Sequence, residues 1–472
     1  MSRKDYFASE FVLSRDLGAV RFLGSAPVSG VGFGVSSKQS FQNVRLRDAI
    51  ANPRDACAPQ TMCEDHVPVF ELVTQDRQSK ARHGRLLTAH GAIETPVFMP
   101  IGTQGAVKAV SPRELRELNA QIILGNTYHL FVRPGIDVIK HFGGLHKFMN
   151  WGGPILTDSG GFQIFSLAKL RKITEEGVQF QNHVDGTPAF ISPEIAMEIQ
   201  AALGTDIAMV LDECPPWPCE RDYAAKSLEM TTRWAKRCRT IADRGLAIVD
   251  CEKRAARGPE QSALRNPKSE INSQLSTLNP QLLFGIVQGA TFEDLRKESA
   301  QALVNIGFDG YAIGGVSVGE PEEEMMKAVD SSEPFLPKDK PRYAMGLGTP
   351  PQLLEMIARG MDMFDCVLPT RLARNGTAFT SNGTLNLKNA ELAMDKRPIE
   401  EGCNCPSCLE FTRGYIRHLI KAEEILGLRL VTTHNLHFYL ELMRLTREKI
   451  DNGTFEEFRR GFVANYRTRD AA

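Results

Sequence analysis

Eight short apolar runs, most closing on a polar residue or a glycine and most leading into a helical stretch, constrain this chain more than any other feature. They are Val97–Ile101, Ile122–Asn126, Ile155–Asp158, Asp206–Asp212, Leu283–Gln288, Tyr311–Gly315, Tyr343–Gly346 and Met363–Val367. Runs this short and this apolar suit strands covered on both faces, as parallel strands are when helices pack over them. Eight of them alternating with helices predict an α/β fold, the (β/α)8 barrel of the TIM type. An open doubly wound sheet is the competitor. It normally has fewer strands and a phosphate-binding glycine turn after the first, and no such turn follows Val97–Ile101.

A barrel of this kind builds its site at the C-terminal ends of the strands. Asn126, Asp158, Asp212, Gln288 and Asp365 all stand at that end of their runs. Two stretches interrupt the alternation. Residues 175–191 alternate around Asp185-Gly186 and predict a hairpin, and 245–281 is a polar tract that reads as a surface insertion. The expected layout is a barrel over 67–366 and a metal-binding subdomain with closing helices over 367–472. Residues 1–66, rich in Ser, Gly and Ala and without sustained period, predict a poorly ordered extension.

Hydrophobic residues make up 42% and charged residues 24% of the 472, with a net charge of −1. That is ordinary for a globular protein, and no apolar run is long enough to cross a bilayer. With no signal-like N-terminal segment, the expected compartment is the cytoplasm, where structural disulfides are rare. Seven of the ten cysteines are scattered and read as small buried residues, but Cys403, Cys405 and Cys408 crowd together. His434 follows after 25 residues. Three thiolates and an imidazole make a closed tetrahedral shell for a structural Zn2+, one per chain, with no position left for water. His437 is the competing imidazole. A redox Cys-x-x-Cys pair would open a helix inside a βαβ unit, whereas these cysteines lie past the eighth run.

The second constellation is acidic. Asp158-Ser-Gly-Gly-Phe-Gln163 puts a carboxylate on a glycine turn whose amides can approach a ligand closely. Asp212 and Asp365 add acids at the same rim. One aspartate at a strand end is more often a helix cap, but several on one rim suit a pair that cleaves a glycosidic bond, one attacking the anomeric carbon and one moving the proton. Gln288 and Gly314-Gly-Val-Ser-Val-Gly-Glu320 supply an amide and exposed backbone, equally consistent with tight turns and with the edge of a planar heterocycle.

Five motifs in one order, Asp158–Gln163, Gly285-Ile-Val-Gln-Gly289, Gly314–Glu320, Asp365-Cys-Val-Leu-Pro-Thr-Arg371 and the Cys-x-Cys-x2-Cys-x25-His cluster, resemble the tRNA-guanine transglycosylases, also called queuine tRNA-ribosyltransferases, of the bacterial type. The resemblance runs from about Phe70 to about Tyr466, with 245–281 as extra. It implies that Asp365 is the nucleophile on C1′ of guanosine 34 and Asp158 the general acid/base. It further implies base-pocket roles for Ser159, Gly160, Gly161, Gln163, Asp212, Cys214, Gln288, Gly315 and Val316, with Phe162 and Met345 sandwiching the ring. Gly346, Leu347, Gly348, Thr349, Pro350, Pro351 and Gln352, and Thr370, Arg371, Leu372, Ala373 and Arg374, are expected against the anticodon.

The implied reaction replaces guanine 34 of GUN-anticodon tRNAs (Tyr, His, Asn and Asp) in queuosine biosynthesis, through a covalent aspartyl-tRNA. Val318 and Cys214 stand where bacterial-type members that take 7-aminomethyl-7-deazaguanine differ from those that take queuine. Phe162 replaces a tyrosine common in bacterial members, keeping the stacking face and losing a hydroxyl. A homodimer is expected from the resemblance alone. A non-catalytic RNA-binding subunit is the alternative reading; it predicts losses at the acids, and Asp158 and Asp365 are both present.

Overall fold

The computed structural model describes residues 68–167, 171–256 and 281–466; the expected extension over 1–66 lies outside them. Nine parallel strands form one sheet. Two of them, Val97–Met99 and Ile101–Gly102, are halves of a single stave broken at Pro100, which has no N–H to give a ladder. The first half pairs with Met363–Asp365 and the second with Ile123–Gly125, so the ring closes on itself. The other staves are Ile155–Thr157, Ile207–Met209, Leu282–Val287, Gly310–Ile313 and Arg342–Ala344. Every residue of these strands is buried, which is why the runs are apolar without alternation. The barrel expected from the eight runs is the observed fold.

An antiparallel meander, Phe70–Gln75, Arg82–Thr88 and Gly91–Thr95, precedes the barrel. It is bolted to the N-terminal ends of the staves. Arg82 grips Asp362 through Nε (2.9 Å) and Nη2 (2.5 Å) with both side chains buried. At the same end Asp206 collects His90 Nδ1 at 2.8 Å, His146 Nε2 at 3.1 Å and the Ile155 N–H at 2.9 Å. The two imidazoles lie stacked, centroids 3.6 Å apart and planes 16° off parallel. These contacts tie the meander and the helix Leu145–Met149 to the third and fourth staves.

Between the third stave and the helix Pro193–Leu203, strands Val178–Gln181 and Pro188–Ile191 pair across Asp185-Gly186. A third strand, Arg171–Ile173, which alternation did not reveal, joins them. The helix Arg221–Ala256 runs well into the 245–281 stretch read as an insertion. No Gly or Pro interrupts Leu246–Ala256, and the first breakers are Gly258-Pro259. Residues 257–280 lie outside those described.

Beyond the eighth stave come the helix Leu368–Arg374, the hairpin Thr377–Thr380/Gly383–Asn386 and the helices Pro406–Glu410, Arg413–Lys421, Ile425–Asp451 and Phe455–Asn465. A small second core of Ala378, Leu387, Ile399, Ile416, Leu419 and Val431 holds this region together. The helix Ile425–Asp451 carries Val431 into that core and Leu436, Tyr439 and Met443 into the barrel core, so one rigid element spans both.

Candidate active site

Asp365 ends the eighth stave. Its Oδ1 accepts the Tyr343 hydroxyl at 2.5 Å and the Gly346 N–H at 2.8 Å. Among the described residues Oδ2 accepts nothing. Burial raises the pKa of Asp365, and the two hydrogen bonds oppose the rise.

Asp158 follows the third stave and is held from four directions. Oδ1 accepts the N–H groups of Thr127 (2.9 Å) and Gly160 (3.2 Å), and Oδ2 accepts the amides of Gln163 (2.7 Å) and Asn126. Burial outweighs these donors and, with the charge of Asp365 nearby, pushes its pKa up to about 6. Gly160 sits at φ +83°, a conformation that suits glycine and lets the turn fold back on its own carboxylate.

Asp212 follows the fourth stave. Ser159 Oγ donates to its Oδ1 at 3.0 Å and Gln288 Nε2 to its Oδ2 at 2.7 Å; burial lifts its pKa to about 6. A side chain at Gly161 would stand 2.6 Å from the Asp212 carbonyl, so the Asp158 turn packs directly on the Asp212 turn. A side chain at Gly315 would stand 2.5 Å from Gln288 Oε1, so the sixth-stave turn closes on the fifth. Both glutamines spend their nitrogens on carboxylates, and both amide oxygens are buried without a partner among the described residues.

Of the other expected pocket residues, Val316 is buried and Met345 half-buried, one residue before the Gly346 N–H that holds Asp365. Cys214 is buried, its thiol pK pushed well up by burial, so it is packing and not a nucleophile. Phe162 is 47% exposed on the first turn of the helix Gly161–Leu167, an apolar face open to solvent at the lip.

The two segments expected against RNA meet at Asp365. The helix Leu368–Arg374 starts three residues beyond it, with Arg371 and Arg374 exposed; Thr370 and Ala373 are buried and Leu372 half-buried. Gly346 is exposed, while Leu347, Gly348 and Pro350 are buried and Thr349, Pro351 and Gln352 half-buried. Thr349 and Gln352 form the capping box of the helix Pro350–Ala358. Exposed contact at this edge therefore falls mainly to Gly346, Arg371 and Arg374, with the buried members shaping the loops.

Cys403, Cys405, Cys408 and His434 place one ligand atom each within 4.8 Å of one another. His434 Nδ1 lies 3.8, 3.6 and 3.3 Å from the three sulfurs, while its Nε2 meets the Phe379 carbonyl at 2.7 Å. That outer bond fixes the tautomer that leaves Nδ1 for a metal. The cluster can hold a metal ion, and His434, not His437, closes it. Asn435, the next residue, donates to Pro369 O at 2.9 Å and Thr377 O at 3.0 Å, linking the cluster's helix to the segment after Asp365.

Three elements of this site carried no motif: Asn126 and Thr127, which cradle Asp158; Tyr343, which orients Asp365; and Arg296, a fully buried guanidinium on the helix Glu293–Ile306. Asn126 stands just past the second stave, and its place at the end of an apolar run already put it on the rim; Tyr343 is the middle residue of the seventh stave and has no such signal. Arg296 carries no such signal, sitting in a charged stretch that reads as a solvated helix face.

A closed parallel barrel whose C-terminal rim gathers three buried carboxylates, Asp158, Asp212 and Asp365, belongs to the (β/α)8 class, which builds its active sites at that rim. The pattern that defines the queuine tRNA-ribosyltransferase family matches residues 76–468. Queuine tRNA-ribosyltransferases of Staphylococcus aureus strains JH9, Mu50 and N315 are each 55% identical over 397 residues, covering 84% of this chain and 96% of theirs. The chain belongs to the queuine tRNA-ribosyltransferase family.

Proposed function

We propose that this chain exchanges guanine 34 of GUN-anticodon tRNAs for 7-aminomethyl-7-deazaguanine, by double displacement through Asp365. One observation carries the reading: Gln163 and Gln288 each anchor a carboxylate and leave a buried amide oxygen without a donor among the described residues. A buried acceptor left unmet costs about 1–3 kcal/mol. A guanine-type edge, rich in N–H donors, supplies what these two oxygens lack and can add donors to Asp212, which has one on each oxygen, as flipped-out bases are read elsewhere.

Asp365 Oδ2 forms a bond to C1′ while the C1′–N9 bond breaks and its electron pair leaves with the base. Asp158 gives the departing base a proton. The incoming base returns a proton to Asp158, attacks C1′ and displaces the Asp365 carboxylate. A group with a pKa of about 6 can both give and take a proton near neutrality. Phe162 and Met345 stack on the ring, Val318 and Cys214 favour the aminomethyl base over queuine, and Arg371 and Arg374 take the anticodon backbone. Cys403, Cys405, Cys408 and His434 would hold a zinc ion in a structural role: His434 Nδ1 lies 3.8, 3.6 and 3.3 Å from the three sulfurs, and three thiolates with one imidazole leave no ligand position for water. The enzyme works as a cytoplasmic homodimer.

Incubation with a GUN-anticodon tRNA and radiolabelled guanine tests this. Label incorporation, competed by 7-aminomethyl-7-deazaguanine and absent in Asp365→Ala, is expected. Folded, zinc-loaded wild type that incorporates no label would overturn the reading.

A further inference from the structure

A buried cation stands behind the wall that the fifth- and sixth-stave turns form. Arg296 has no exposed surface. Its Nε donates to Ala290 O (2.7 Å), Nη1 to Val287 O (3.1 Å) and Gly314 O (2.7 Å), and Nη2 to Gly315 O (3.2 Å). No carboxylate among the described residues pairs with it. Burial lowers its pKa only to about 10, so it stays charged at neutral pH. A cation kept out of water without a counter-ion is costly, and here four carbonyl dipoles compensate it.

Those carbonyls have a consequence on their other side. In a trans peptide the C=O and N–H point in opposite directions. Turning the Gly314 and Gly315 carbonyls to the guanidinium turns the N–H groups of Gly315 and Val316 away from it. Neither N–H has an acceptor among the described residues, while those of Ser317 and Val318 are taken by Glu320. Gly315 adopts φ +63° and lies against Gln288 Oε1, which belongs to the Asp212 pair. The two free donors thus belong to the turn packed directly against the base-reading amide of Gln288.

We propose that Arg296 is a positioning residue for base departure: it aims the N–H groups of Gly315 and Val316 at the purine and strengthens them as donors. They then hold the negative charge that the base takes on as the C1′–N9 electron pair leaves with it, before the proton from Asp158 arrives. The assignment rests on the base-exchange reading above.

The test is single-turnover base release by the full chain from tRNA bearing guanosine or 7-methylguanosine at position 34. Guanine departs as an anion until it is protonated, whereas the base of 7-methylguanosine carries a ring positive charge while attached and departs neutral. Arg296→Met is expected to slow guanine release about 10²-fold. Arg296→Lys, which keeps a cation but fewer donors, should slow it about tenfold. Both should release 7-methylguanine within about threefold of wild type, with the tRNA KM unchanged. Equal slowing of the two bases, the result of a merely structural role, would overturn the assignment, as would guanine release within threefold of wild type. If Arg296→Met does not fold, Arg296→Lys decides alone on the same ratio. Wild type that releases no guanine takes down the base-exchange reading and this assignment together, whereas normal wild-type release with no base selectivity in the variants takes down only the assignment.

Discussion

The Tyr343 hydroxyl and the Gly346 N–H both donate to Oδ1 of Asp365, at 2.5 and 2.8 Å, and Oδ2 accepts nothing among the described residues. A carboxylate held on one oxygen cannot rotate without losing both bonds, so in the proposed exchange this pairing sets the direction from which Oδ2 approaches C1′.

Tyr343→Phe removes one bond and leaves Asp365 buried with the Gly346 N–H alone. A hydrogen bond to a charged group is worth roughly 1.5–3 kcal/mol, so exchange at neutral pH should fall about 10- to 100-fold. The Tyr343 bond lowers the Asp365 pKa against burial, so its loss raises that pKa further. The acid limb of the kcat/KM profile should therefore move to higher pH in Tyr343→Phe. A slowed variant with an unmoved acid limb would mean that Tyr343 acts on geometry alone.

Asp158 and Asp212 both have pKa values raised to about 6 by burial, so the folded chain binds protons that the unfolded chain, titrating near 4, releases. Their contribution to stability is favourable below about pH 4 and is lost as pH rises through 6. Asp212→Asn should therefore stabilise the fold at pH 7.5 by about 2 kcal/mol and give no gain at pH 4, while exchange activity falls. Denaturant midpoints at the two pH values decide this; an equal shift at both would mean that the gain has nothing to do with charge.

The staves were legible because a strand covered on both faces tolerates little but apolar side chains, and the rim acids were legible because each stands where an apolar run stops. The N-terminal meander was not. Its strand Arg82–Thr88 opens on Arg82 and His83, whose partners Asp362 and Asp451 lie 280 and 368 residues away, and a charge looks solvated until its partner is known. Arg296 hid for the same reason. Glu293-Asp-Leu-Arg-Lys-Glu298 reads as a surface turn of helix, and the carbonyls that bury Arg296 come from two turns that meet only in the closed barrel. At the Cys3His cluster the thiols announced themselves by spacing, whereas the choice of His434 over His437 depended on which face of the helix Ile425–Asp451 turns to the sulfurs.

Removing the metal should act at a distance from the barrel's own core. The helix that carries His434 also carries Asn435, which holds Pro369 and Thr377, and Tyr439, whose hydroxyl donates to the Gly348 carbonyl. Both segments that flank Asp365 are thus fastened to the helix that carries His434 of the cluster. Chelation, or Cys405→Ser, should raise the tRNA KM at least tenfold and increase protease cleavage within 395–425, with most barrel circular dichroism retained and zinc restoring the chelated enzyme. Unchanged tRNA binding after complete zinc loss would break the link between the cluster and the RNA edge.

At the opposite end of the barrel, Asp206 offers a stability test that should leave chemistry alone. Burial would raise its pKa, yet the bonds from His146 and His90 win and hold it at about 2. A carboxylate depressed in the folded state contributes stability above its unfolded pKa near 4, and that contribution disappears as pH falls towards 2. The His90 pKa is raised, chiefly by its bond to Asp206, so its share is full below about 6.5 and fades as pH rises through the folded value. Asp206→Asn should therefore destabilise the fold by about 2 kcal/mol at pH 6, with the loss shrinking towards pH 3 and with kcat near that of wild type. His90→Gln should cost less at pH 8 than at pH 6. Urea midpoints across pH 3–8 measure both, and a loss that stays constant over that range would show that packing, and not the shared proton bonds, ties the meander to the barrel.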